Sequence, residues 1–155
     1  LMILVTLGTQ KQSFKRLLQY IEDSKIKDEI VVQAGYTKFE SKKMKMFDFI
    51  PYDEMSEYVD KCDLVITHAG TGSIIGPLKK DKKVIACARL SKYDEHVDDH
   101  QKQLTEVFKD AGYILELTEE NSLDELYKEI KTFKAKKFTS NADNFIDKLK
   151  KEIEK

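Results

Sequence analysis

No apolar run in this 155-residue chain comes near the ~20 residues needed to cross a bilayer as a helix, so the sequence excludes a spanning segment. The start, "LMILVTLG", is too short for a secretory signal and lacks its basic flank. Only two cysteines are present, Cys62 and Cys87. Each stands alone beside or within an apolar run, which excludes a disulfide framework and reads as buried reduced thiols suited to the cytosol. Charge of one sign is missing too. A formal net charge of −1 argues against a general nucleic-acid binder. No lysine follows the glycine-rich turn described below, so a Walker-type nucleotide hydrolase is disfavoured. No G-x-S-x-G elbow occurs, and no Ser-His-Asp arrangement can be read out. Internal repeats and linkers are also lacking. What remains, 41% hydrophobic and 35% charged, is a single soluble domain over residues 1–155, long enough to bury a core unaided.

The apolar pattern alternates between two periods. Residues 2–7 form a continuous apolar run, the mark of a strand covered on both faces. Phe14, Leu17, Leu18 and Ile21 then recur at helical spacing. Further strands are expected over 30–34, 46–50, 64–67, 84–88 and 113–117. Helices are expected around Met55 to Cys62, after the glycine turn, over 97–111, and from Ser122, which with Glu125 reads as a capping box. Such alternation predicts an α/β fold: a Rossmann-like, mostly parallel sheet of about six strands with helices on both faces. Ligands of such sheets bind beyond the carboxyl ends of the strands. Three loops stand there: Gly8-Thr9-Gln10, residues 68–73, and residues 89–101. The lysine runs "SKKMK", "KKDKK" and "KAKK" read as solvated surface.

"THAGTGSII", residues 67–75, carries the most chemistry. A strand feeding a glycine-rich turn and then a helix is an anion site, because the backbone can approach a ligand and the helix start presents free N–H groups. His68, Gly70, Gly72 and Ser73 favour a phosphate contact. A dinucleotide fingerprint would place an acidic ribose ligand at the end of the next strand, where Ala88-Arg89 stands instead. A purely structural tight turn is the plain alternative. In "YDEHVDDHQ", His96 and His100 are four apart and would share a helical face. Val97 replaces the glutamate of an H-E-x-x-H zinc helix and no third ligand is evident, so no metal is expected. Asp98 or Asp99 could cap a helix. Glu95, Asp99 and Gln101 alternatively have the chemistry to hydrogen-bond sugar hydroxyls.

"VTLGT", "FIPYDEM", "THAGTGSI" and "RLSKYDEHVDDHQ" occur in this order in one family. Over about residues 2–117 the chain resembles the C-terminal, nucleotide-sugar-binding half of family 28 glycosyltransferases. It is most similar to stand-alone short forms: catalytic subunits of bacterial capsule and exopolysaccharide glycosyltransferases and of the eukaryotic dolichol-linked UDP-N-acetylglucosamine transferase. The resemblance implies half of a GT-B enzyme. The donor would be a UDP-sugar, with no other cofactor. A small membrane-anchored partner subunit would supply the half that binds a polyprenyl-diphosphate-linked sugar acceptor. The chain would then be cytoplasmic, held peripherally at the inner face of the membrane through that partner, and the isolated chain could pair with itself. The resemblance places His68, Gly70, Thr71, Gly72 and Ser73 on the diphosphate, and Gly8 and Thr9 in the facing loop. It puts Phe49 and Ile50 at the uracil, and Glu95, Asp99 and Gln101 at the donor sugar, with His96 and His100 orienting their loop. Gly76 stands near the place where larger relatives carry a ribose-binding glutamate. The general base is expected on the partner. A non-catalytic accessory subunit is the alternative function. The amphipathic stripe Phe138, Ala142, Phe145, Ile146, Leu149 and Ile153, within residues 138–153, is expected to pack on its own domain or to dock on that partner.

Overall fold

The computed structural model describes residues 1–139, 144, 145, 147–149 and 151. Six strands form one sheet: β1 (Met2–Thr6), β2 (Glu29–Gln33), β3 (Lys45–Phe47), β4 (Leu64–His68), β5 (Lys83–Cys87) and β6 (Leu115–Glu116). Their spatial order is β3-β2-β1-β4-β5-β6, and every neighbouring pair is parallel. That is the order of a doubly wound dinucleotide-type sheet. The connections carry α1 (Lys15–Asp23), α2 (Tyr52–Lys61), α3 (Thr71–Lys79) and α4 (His100–Asp110), and α5 (Leu123–Thr132) follows β6.

The strand period of two sorts the apolar residues into two cores. Ile3, Val5, Val32, Ile66 and Ile85 face α1 and α5, where Phe14, Leu17, Leu18, Ile21, Leu126 and Ile130 cover them. Leu4, Val31, Val65, Val84 and Ala86 face the other way, against Ile74 and Leu78 of α3, Leu104 and Phe108 of α4, and the half-buried Met55 and Val59 of α2. Because helices cover both faces, the strands read as unbroken apolar runs rather than alternating ones. Cys62 and Cys87 are buried free thiols, as their apolar neighbours predict.

Three local expectations are corrected. The helix predicted over 97–111 begins only at His100. Upstream, Asp94 is left-handed (φ 57°) and Glu95 is drawn into the interior, which takes residues 95–99 out of helical register. Ser122 is the N-cap of α5, but its side chain makes no cap hydrogen bond, so the capping box with Glu125 does not form. The lysines of "KAKK" are exposed, but the other two runs are not plain solvated surface. Lys43 Nζ donates to the Ser24 and Ile26 carbonyls (2.7 and 3.3 Å), beyond the end of α1. Lys82 Nζ donates to Asp60 and Cys62 (2.8 and 2.9 Å), and Lys83 Nζ to Ile130 and Lys131 (2.8 and 3.1 Å). These ammonium groups terminate α1, α2 and α5, where the helix dipole and the unpaired carbonyls favour a cation.

Of the terminal stripe, Phe138, Phe145 and Leu149 pack on their own domain. Tyr113 meets Phe138 at 5.2 Å and Phe145 at 5.0 Å between ring centroids, and Phe108 meets Phe145 at 5.0 Å. Ala142, Ile146 and Ile153 lie outside the described residues. Phe108 is fully buried against Tyr113 and Phe145 of this aromatic group. Phe108→Ala is therefore expected to cost about 3–5 kcal/mol of stability, read as a lowered midpoint in urea unfolding.

Candidate functional site

All six strands deliver their loops to one edge. The turn after β4 is the focus. Gly70 is the N-cap of α3, and the first helical bond runs from Ile74 N–H to the Gly70 carbonyl at 3.1 Å. The N–H groups of Thr71, Gly72 and Ser73 thus stand ahead of the helix with no helical acceptor, the arrangement that attracts an anion. A cleft of about 380 Å³ opens over them, between α2, α3 and the loops after β1 and β3. Gly8, Thr9, Phe49, Ile50, Gly72 and Ser73 line it together, so residues from three distant stretches of sequence converge. Its size suits a small-molecule site.

A larger groove of about 840 Å³ lies between α4 and the loop from β6 to α5, among Lys102, Glu106, Glu116, Glu119 and Asn121. None of the sequence-derived site residues lines it. The smaller cleft is the better candidate because it meets the free helix N–H groups.

The glycines of the turn play different parts. A Cβ on Gly8, whose φ is +76°, would stand 2.5 Å from the His68 ring, and one on Gly70 would stand 2.7 Å from it. These two allow close packing around the histidine. Gly72 needs no unusual backbone angle, and a Cβ there would meet nothing within 4 Å. The fold alone does not require glycine at 72, which weighs against a purely structural turn.

His68 is buried, 3% exposed, and does not line the cleft itself. Its Nε2 lies 3.1 Å from Ser73 Oγ and its Nδ1 lies 3.2 Å from Gln101 Nε2. Burial first, then the nearby Arg89 guanidinium and His96, push the imidazole down to about 3. It is a neutral ring at ordinary pH.

Gln101 is also 3% exposed. Its Oε1 accepts from the Ala69 and Arg89 backbone N–H groups at 3.1 and 3.0 Å. Both ends of the amide are therefore engaged internally. Glu95 turns inward as well. Its carboxylate takes Arg16 Nε and Nη2 at 3.0 and 2.9 Å and the Leu90 N–H at 3.0 Å. Asp99 alone of that acidic and amide set is exposed, its Oδ1 accepting from the Ser91 N–H and hydroxyl at 2.9 and 3.0 Å. These bonds hold its carboxyl below the usual range. Because α4 starts at His100, His96 and His100 share no helical face. They flank Asp98 instead, with Nδ1 to carboxylate distances of 3.1 and 3.4 Å. Among the described residues no group of three or more His, Cys, Asp or Glu is arranged to hold a metal.

Three residues escaped the sequence reading. Gln33 clamps the Gly8 backbone, its Nε2 donating to the Gly8 carbonyl at 3.0 Å and its Oε1 accepting the Gly8 N–H at 3.3 Å. Arg89, 1% exposed, donates to the carbonyls of Leu7, Gln12 and Glu95 at 2.6, 2.7 and 3.0 Å. Arg16 holds Glu95 and the Ala88 carbonyl. For Gln33 and Arg89 the available signal was a polar residue closing an apolar strand, as in "IVVQ" and "IACAR".

A doubly wound parallel sheet with a free helix start at its carboxyl edge defines a Rossmann-like domain with a candidate anion site. The glycosyltransferase family 28 C-terminal domain matches residues 2–155, and the chain belongs to that family. The UDP-N-acetylglucosamine transferase subunit ALG13 of Saccharomyces cerevisiae is 38% identical over 73 residues, which is 46% of this chain and 34% of that protein. The chain thus matches about a third of its yeast relative's length. The NMR solution structure of ALG13 superposes on 99% of this chain and 96% of its own, with a TM-score of 0.63 at 22% identity. The glycosyltransferase SnogD from Streptomyces nogalater superposes on 99% of this chain with a TM-score of 0.58 at 15% identity, but on only 39% of its own length. That share fits one half of a GT-B enzyme.

Two outcomes follow from this geometry. Gly8→Ala is expected to destabilise the protein by at least about 1–2 kcal/mol, the cost of a left-handed non-glycine residue, while Gly72→Ala stays within about 0.5 kcal/mol of the parent. Chemical denaturation distinguishes them. The depressed pKa of His68 also sets a pH dependence. The unfolded chain takes up this proton below about pH 6.5, whereas the folded one resists it until about 3. The contribution is fully present above the unfolded pKa and is lost as pH falls through that window, about 2–3 kcal/mol between pH 7 and 4.5. His68→Gln should flatten this part of the stability profile.

Proposed function

We propose that this chain is the donor-binding subunit of an inverting glycosyltransferase that uses a UDP-sugar. The uridine would enter between Phe49, Ile50 and Tyr52, and the diphosphate would meet Ser73 and the N–H groups that open α3. The sugar would extend toward Asp99. The observation that carries this reading is the cleft ending on Gly72 and Ser73 at the start of α3, whose N–H groups have no helical acceptor, with Gly72 leaving room for the ligand. The yeast relative's name points to UDP-N-acetylglucosamine as donor. That relative gives no support to a capsule or exopolysaccharide setting, so the acceptor is proposed only as a polyprenyl-diphosphate-linked sugar.

The acceptor hydroxyl would attack the anomeric carbon in line, and the leaving UDP would carry its charge onto the start of α3. Preorganised donors at that point stabilise the transition state electrostatically and need no cofactor beyond the substrate. A general base must remove the hydroxyl proton. His68 is buried, neutral and engaged at both nitrogens, and His96 and His100 are held by Asp98. No histidine here offers that base, which we place on a second protein that forms the facing wall.

An apolar rim supports such a partner. Tyr36, Phe49, Tyr52, Tyr93 and Val97 are exposed, and all lie in or just after the loops at the carboxyl edge of the sheet. A concentration of exposed apolar groups around a cleft is the usual mark of an interaction surface. Among the described residues no helix is long and apolar enough to cross a membrane. A membrane-anchored partner would hold the chain peripherally at the cytoplasmic face.

Titration calorimetry with UDP and UDP-N-acetylglucosamine tests the reading. The folded chain is expected to bind both, and Gly72→Leu to lose binding while its melting temperature moves by less than about 3 °C. Absence of uridine-nucleotide binding by the folded protein would sink the proposal.

A further inference from the structure

Gln101 and His68 are polar, buried and outside the cleft, yet both are tied to its one hydroxyl on α3. The direction of every hydrogen in this group follows from its donors and acceptors. The two backbone N–H groups of Ala69 and Arg89 can only donate, so the Gln101 atom between them must be the carbonyl oxygen. The Gln101 NH₂ group then faces His68 Nδ1 at 3.2 Å and donates to it. Nδ1 is thereby an acceptor, and the ring proton resides on Nε2. That N–H points at Ser73 Oγ, 3.1 Å away. Ser73 accepts, and among the described residues its own hydrogen meets no other acceptor. The ring cannot turn away, because Gly8 and Gly70 press on it from two sides with no room even for a methyl group.

We infer that Gln101 and His68 are positioning residues, which fix the ring as the Nε2–H tautomer so that the Ser73 hydroxyl keeps its hydrogen for the bound diphosphate. This rests on the donor-site reading above and assigns Gln101 a task other than touching the sugar. The strongly lowered basicity of the buried ring is consistent with it. With the opposite tautomer, Nε2 would accept from Ser73, and the hydroxyl would offer the anion only lone pairs.

The test begins without ligand. With three histidines in the chain, ¹⁵N NMR of the imidazoles, assigned with His96→Gln and His100→Gln, is expected to show His68 protonated at Nε2 and bare at Nδ1. In Gln101→Glu, near pH 8.5 and above the ordinary imidazole range, a carboxylate opposite Nδ1 should move the proton there. UDP affinity is then measured for Ser73→Ala, for Gln101→Glu and for the double variant. Ser73→Ala is expected to weaken binding about tenfold or more, the worth of one hydrogen bond to an ionised acceptor. The added negative charge repels UDP in both backgrounds, so the cycle cancels it. Gln101→Glu should cost at least several-fold more with Ser73 present than in the Ser73→Ala background. A native His68 protonated at Nδ1, an unchanged affinity in Ser73→Ala, or equal costs in the two backgrounds would each overturn the inference while leaving UDP binding intact. A folded chain that binds no UDP would overturn both this assignment and the donor-site reading.

Discussion

Two guanidinium groups, Arg89 fully buried and Arg16 half-buried, hold the carboxyl edge of the sheet together. Arg89 joins the Leu7 and Gln12 carbonyls, on either side of the loop after β1, to the Glu95 carbonyl in the loop after β5. Arg16 rises from α1 to grip the Glu95 carboxylate in two places. Phe14 lies against both, with the guanidinium carbons 5.0 Å (Arg89) and 5.5 Å (Arg16) from its ring centroid. A parallel sheet supplies strands but leaves its loops to find their own backbone partners. Here arginine side chains satisfy carbonyls that no strand or helix could reach, and breaking a buried pair of this kind costs about 3–5 kcal/mol.

That framework explains how a chain with few glycines builds a close-packed turn at the candidate site. The loop after β1 is held from below by Arg89 and from the side by Gln33, and so it keeps Gly8 against His68. Both nitrogens of the histidine are then engaged before a ligand arrives, while the Ser73 hydrogen stays uncommitted. Preorganised dipoles need no rearrangement when charge develops on the leaving group. The price is specialisation, since Glu95 and Gln101 are spent on the scaffold rather than offered to substrate.

The sheet and its order of elements were readable because strands covered on both faces must be continuously apolar, and helices between them must show a 3.6-residue stripe. The glycine turn was readable because its spacing between strand and helix has one backbone consequence. The inward placement of Glu95 and Gln101 was not legible, for a physical reason. Sequence reveals that a side chain can hydrogen-bond, but not whether its partner is a ligand or a neighbour's backbone. In "EHVDDHQ" the inward residues carry the same chemistry as the outward Asp99. Arg89 was seen only as the absence of an acidic ribose ligand, because nothing in one dimension places it beneath Leu7, 82 positions away. The lysine runs were hidden likewise, since a lysine in water and one on a helix end are written with the same letter.

Those lysines divide the basic residues into two chemical populations. Lys11 and Lys27 stand in water, and acylating them would remove charge and little else. Acylating Lys82 or Lys83 would also take a cation off two helix-end carbonyls apiece and leave them to the solvent. Reagents that modify amines would therefore report on helix termini: the slow sites would map where α1, α2 and α5 end, and their late modification would mark fraying of those ends rather than exposure of a surface.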